Sequence, residues 1–95
     1  MRKKEIFIKA LHSIACLNHI LSSLESLGLV AEDKAFNGAL FQAFDGPCAI
    51  ATDCLTFPNV TEENRIYNRI LQVTLDNYEN FAEEVWDKYA DTGDV

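Results

Sequence analysis

Most of the usual chemical signatures are missing from this sequence. It holds three cysteines, Cys16, Cys48 and Cys54, with no Cys-x-x-Cys pair among them. An odd count without dense spacing does not make a secreted disulfide framework, so free thiols in a reducing, cytoplasmic compartment are expected. Histidine is limited to His12 and His19, and no His-Glu-x-x-His run is present. The four glycines, Gly28, Gly38, Gly46 and Gly93, are scattered and build no phosphate-cradling loop. No serine stands in a Gly-x-Ser-x-Gly elbow. No unbroken apolar run approaches the roughly 20 residues of a membrane span. The opening Met1-Arg2-Lys3-Lys4, followed by Ile6, Phe7 and Ile8, has the form of an export signal, and Ser13-Ile14-Ala15-Cys16 that of a lipoprotein cleavage box. Glu5, Lys9 and His12 interrupt the apolar centre that such a signal needs, so export is not expected.

Positive charge is also scarce. Eight Lys and Arg face fifteen Asp and Glu, for a formal net charge of −7. A surface of that sign repels phosphate, which argues against direct nucleic-acid binding. The charge is unevenly placed. Arg2, Lys3, Lys4 and Lys9 crowd one end of the chain. Asp76, Glu79, Glu83, Glu84, Asp87, Asp91 and Asp94 crowd the other, with Lys88 among them.

What is present is the composition of a folded protein: 95 residues, 48% hydrophobic and 24% charged. That is one domain, 1–95, which buries about two-thirds of its unfolded surface and has little left over to enclose a deep pocket. Phe7, Ala10, Ile14, Leu17, Leu21 and Leu24 recur at helical spacing, with Glu5, Lys9, His12, Cys16, His19, Ser23 and Ser26 opposite. This predicts an amphipathic helix from about Lys3 to Leu27, with Gly28 at the position of a C-cap glycine.

A second helix is predicted over 32–44 from Phe36, Ala39, Leu40, Ala43 and Phe44, stopped by Gly46-Pro47. Asn37-Gly38 is the strongest short hairpin dipeptide and supplies the alternative, an α+β fold with a hairpin there. The stretch 47–57 reads either as a short helix opened by Pro47 or as a strand. A last helix is predicted from Glu62, capped by Thr61, to about Ala90 and some 40 Å long. The fold class is therefore mainly all-α, a small antiparallel bundle of three to four helices. Up-down-up-down order sets the basic start beside the acidic end.

Three constellations could carry chemistry. His12, Cys16 and His19 share one helical face at i, i+4 and i+7, a spacing able to offer zinc two imidazoles and a thiolate. Cys16 beside either histidine could also act as a nucleophile, although it sits mid-helix, away from the electropositive N-terminus that activates thiols. Glu79, Glu83, Glu84 and Asp87 cluster on the last helix, where paired carboxylates could hold magnesium if a second helix contributed more. For each, a solvated polar face is the simpler account, and no cofactor or metal is expected.

The function expected from these residues is that of a small, acidic, non-enzymatic protein-binding module. An inhibitor, an immunity-type antagonist or an accessory protein acting on a basic or nucleic-acid-binding partner all fit. Asp76, Glu79, Glu83, Trp86 and Asp87 are the expected contact residues, with Trp86 as an edge anchor. The alternative is a small metal-binding or metal-dependent hydrolytic domain built on His12, Cys16 and His19 or on the Glu79–Asp87 carboxylates. A homodimer is a second expected association, because Ile66, Ile70, Val73 and Phe81 on one edge and Leu71, Leu75, Ala82 and Trp86 on the other make a face wider than one helix covers.

Overall fold

An apolar residue every third or fourth position forces one side of the first helix inward, and that helix organises the rest of the molecule. The computed structural model describes residues 3–28 and 34–90. Four α-helices lie among them: α1 (Lys3–Ser26), α2 (Lys34–Asp53), α3 (Val60–Ile70) and α4 (Tyr78–Tyr89). Phe7, Ala10, Leu11, Ile14 and Ala15 of α1 are buried, and α1 packs on both α2 and α4. Gly28 ends it with a positive φ of 72°, as a C-cap glycine should. Twenty-four residues span about 36 Å at 1.5 Å each, close to the long dimension of the molecule, 45 Å. By length and composition α1 is also apolar enough to cross a membrane. The segment has few charges despite the interruptions at Lys9 and His12, and its inward stripe is used against α2 and α4.

The middle of the chain departs from the expected pattern. Asn37-Gly38 lies within α2, so the hairpin alternative does not hold. No strand occurs among the described residues, and the one isolated antiparallel bridge joins Leu55 to Ala90. Nor does Gly46-Pro47 stop the helix. α2 continues through Pro47 to Asp53, because Leu40, Phe44, Cys48 and Ala51 form one buried stripe across the proline. Burial of that stripe outweighs the roughly 3 kcal/mol that an interior proline costs. The expected start at Glu32 falls outside the described residues.

The long last helix is two helices. α3 ends at Ile70 and α4 begins at Tyr78, with turns between them. Asn59, not Thr61, caps α3: its side chain accepts a hydrogen bond from the Glu62 N–H at 2.8 Å. At the break, the Asn77 side chain accepts from the Thr74 N–H at 2.8 Å, while the Tyr78 N–H donates to the Thr74 carbonyl at 2.9 Å. Asn77 thus supplies one half of a capping box, its side chain reaching back to the Thr74 N–H, while the Thr74 carbonyl takes the first backbone hydrogen bonds of the turn into α4. The break frees carbonyls at Leu71 and Val73, and Asn18 of α1 donates to both, at 2.9 and 2.8 Å.

Folding the last segment back closes the core. Ile66, Ile70, Val73, Phe81, Ala82, Val85 and Tyr89 join the buried residues of α1 and α2 in a single cluster. The start of α1 meets the middle of α4, Lys4 at Glu83 and Phe7 at Trp86, while its later turns meet earlier residues, His12 at Tyr78 and Asn18 at Leu71 and Val73. α1 and α4 are therefore antiparallel, and the basic start does lie beside the acidic helix. Arg2, Asp91 and Asp94 are outside the described residues.

Candidate functional site

Spacing of four residues places Glu79, Glu83 and Asp87 in one row on α4, and all three are exposed. Asp76 is exposed in the turn that precedes the helix. Glu83 is tied down by Lys4 at 3.2 Å, and the neighbouring Glu84 by Arg69 at 3.2 Å. Asp76, Glu79 and Asp87 form no ion pair among the described residues. Trp86 is half-buried, with its ring 5.5 Å from Phe7. One side of the indole thus covers the protein's own core, which leaves only its outer edge to a partner.

The two described arginines are used internally. Arg65 pairs with Glu62 at 3.0 Å and donates to the Tyr89 hydroxyl at 3.1 Å, while that hydroxyl donates to Glu62. The Arg65 and Tyr89 hydrogen bonds hold the Glu62 carboxyl at about 2, well below its ordinary range. Arg69 forks onto Glu84 and lowers its pKa in the same way, and its guanidinium lies 5.0 Å from the centre of the Phe81 ring. With these arginines neutralised from within, the excess negative charge is displayed by carboxylates that have no internal cation.

The other constellations are less complete. The Cys16 thiol lies 3.7 Å from His12 Nε2, and the His12 ring packs 5.2 Å from that of Tyr78. His19 is exposed a turn further on, beside a shallow hollow it shares with Asn18, Thr74 and Asp76. Cys48 and Cys54 are buried. Desolvation, then the charge of Asp45, raises the Cys48 pKa and keeps it a thiol. Among the described residues no group of three or more His, Cys, Asp or Glu side chains converges as a metal ion requires. The alternative sites at His12/Cys16/His19 and Glu79–Asp87 are therefore not assembled.

Sequence reasoning missed one concave feature. A groove of about 690 Å³ opens where the end of α2 and the following chain meet α3. Asp53, Thr56, Glu63, Asn64, Phe57 and Tyr67 are among the residues that line it. Phe57 is held against Tyr89, ring centroids 5.4 Å apart, and the Thr56 N–H donates to the Tyr89 carbonyl at 2.8 Å. The wall of the groove is thus fixed to the C-terminal end of α4. Burial, then the fields of Cys48 and Asp45, raises the Tyr67 pKa, so its hydroxyl stays protonated at neutral pH. The local sequence signal there, Phe57-Pro58-Asn59, indicates a turn and carries no sign of a groove.

Compared with protein-family models, with curated proteins and with solved structures, the chain matches none.

Proposed function

We propose that this protein is a non-enzymatic, acidic recognition module of the cytoplasm that docks on a basic protein partner. The observation that carries the reading is the distribution of ion pairs. Arg65, Arg69 and Lys4 are each engaged by a carboxylate of the chain. Asp45, Asp53, Glu63, Asp76, Glu79 and Asp87 remain exposed without one among the described residues. A field of one sign on a rigid bundle steers an oppositely charged partner and repels nucleic acid. The row of Glu79, Glu83 and Asp87, with Asp76 at its head and the edge of Trp86 beside it, is the proposed contact face. An inhibitor or antagonist of a nucleic-acid-binding protein is one form of this role, with carboxylates standing in for phosphates.

Self-association belongs to the same proposal, with a smaller surface than the sequence suggested. Ile66, Ile70, Val73, Phe81 and Ala82 are buried within one copy. Leu75, 42% exposed, the partly buried Leu71 and the Trp86 edge are what remain of that face.

Three labelled probes test the reading: an oligo-arginine peptide, an oligo-glutamate peptide of equal length and a short DNA duplex. Saturable binding of the first alone is expected in fluorescence anisotropy. Binding of the duplex, or of no probe, would overturn it.

A further inference from the structure

The groove between the end of α2 and α3 has the chemistry of a receptor for one particular side chain. Asp53 and Glu63 bring a carboxylate from each helix, and both are exposed. Thr56 and Asn64 add neutral oxygen acceptors, and Phe57 and Tyr67 add aromatic surface. The side chains of Asp53, Thr56, Glu63, Asn64 and Tyr67 make no hydrogen bond or ion pair among the described residues, so their acceptor capacity is unspent. Among the described residues no lysine or arginine lines the groove to neutralise it. A volume of 690 Å³ lies within the range of sites that take small ligands or anchor residues.

We infer that this groove accepts an arginine side chain presented by the basic partner. A guanidinium is planar, carries five donors and no acceptor, and stacks on aromatic faces while it forks onto carboxylates. Each of those properties meets a counterpart here: two carboxylates, neutral oxygens and two rings. An ammonium can also donate to these oxygens and lie over a ring, but it is a point charge without a planar fork to stack and chelate at once, and it holds its water more tightly. The groove also abuts a second hollow, which shares Thr56 and Phe57 and reaches Lys88 and Tyr89 at the end of α4. A partner whose arginine enters the groove thereby extends its footprint towards the acidic helix. The inference rests on the proposed recognition of a basic partner and names the residue that anchors it.

The test uses two labelled peptides of equal length and charge, one built on arginine and one on lysine, titrated into the intact protein with ¹⁵N amide shifts recorded. The arginine peptide should bind about tenfold more tightly, the scale of one cation–π contact plus one charge-assisted fork. Its shifts should concentrate at 52–57 and 63–67. Asp53→Asn with Glu63→Gln should erase the preference for arginine while amide spectra elsewhere stay unchanged. Tyr67→Leu should reduce the preference by weakening the arginine peptide more than the lysine peptide. Equal affinities for the two peptides, or shifts confined to Glu79, Glu83 and Asp87, would overturn the groove assignment and leave the acidic-module reading standing. Failure of both peptides to bind would overturn both.

Discussion

Asn18 spends both amide hydrogens on the carbonyls of Leu71 and Val73. Replacing it with leucine leaves two part-buried acceptors without a donor, at a cost of about 1–3 kcal/mol. Urea denaturation should show that loss, and an unchanged midpoint would refute the clamp. Glu62 makes a second residue-scale prediction. Its folded pKa, about 2, lies below the ordinary 4.5. A depressed carboxyl pKa adds stability that is complete above the unfolded value and disappears as pH falls through the folded one. The difference in thermal midpoint between the wild type and Glu62→Gln should therefore be constant above pH 4.5 and shrink towards pH 2. A difference that does not change over that interval would contradict the Arg65–Glu62–Tyr89 contact. Neither residue stood out in the sequence. Asn18 reads as one polar position on a helix, and its partners are more than fifty positions away. Glu62 was legible only as a first-turn acid complementing the helix dipole.

At the level of elements, the apolar period was the reliable signal and the local punctuation was not. α1 was legible from Phe7 to Gly28 because spacing, polar face and C-cap agree. Gly46-Pro47 misled because its helix-breaking tendency competes with a buried stripe on both sides of it, and burial wins. The opposite error joined α3 to α4. There an unbroken apolar rhythm hid a run of poor helix formers, Val73-Thr74 and Asp76-Asn77, of which Asn77 turns its side chain back onto the Thr74 N–H. The glycines of α2 provide a test of this reasoning. Gly38 and Gly46 have no positive φ, and a Cβ at either position meets nothing within 4 Å. Alanine at each should stabilise the protein by about 0.5–1 kcal/mol through helix propensity alone. A lower melting temperature for either variant would mean that α2 is not a regular helix at that point.

On the scale of the molecule, charge and topology support one another. The antiparallel order of α1 and α4 brings Lys4 to Glu83, an exposed pair worth no more than about 0–1 kcal/mol. Its importance is in disposition, because it helps leave the remaining carboxylates as an outward field. The candidate face on α4 was readable from spacing. The groove was not, since Asp53 and Glu63 meet only through the tertiary packing of α2 on α3. Burial also changes what one variant should do. Val73 is 2% exposed, so Val73→Glu should bury an unpaired charge at a cost of several kcal/mol and abolish the helical circular dichroism signal. A folded Val73→Glu protein of halved mass would instead place Val73 at an interface between copies. The central claim, that unpaired carboxylates are the recognition surface, is tested most directly by neutralising Asp76, Glu79 and Asp87 together as Asn, Gln and Asn. Anisotropy of a labelled arginine peptide should then report about tenfold weaker binding with the fold intact, and a smaller difference as added salt shortens the screening length. Unchanged affinity in the triple variant would contradict the account.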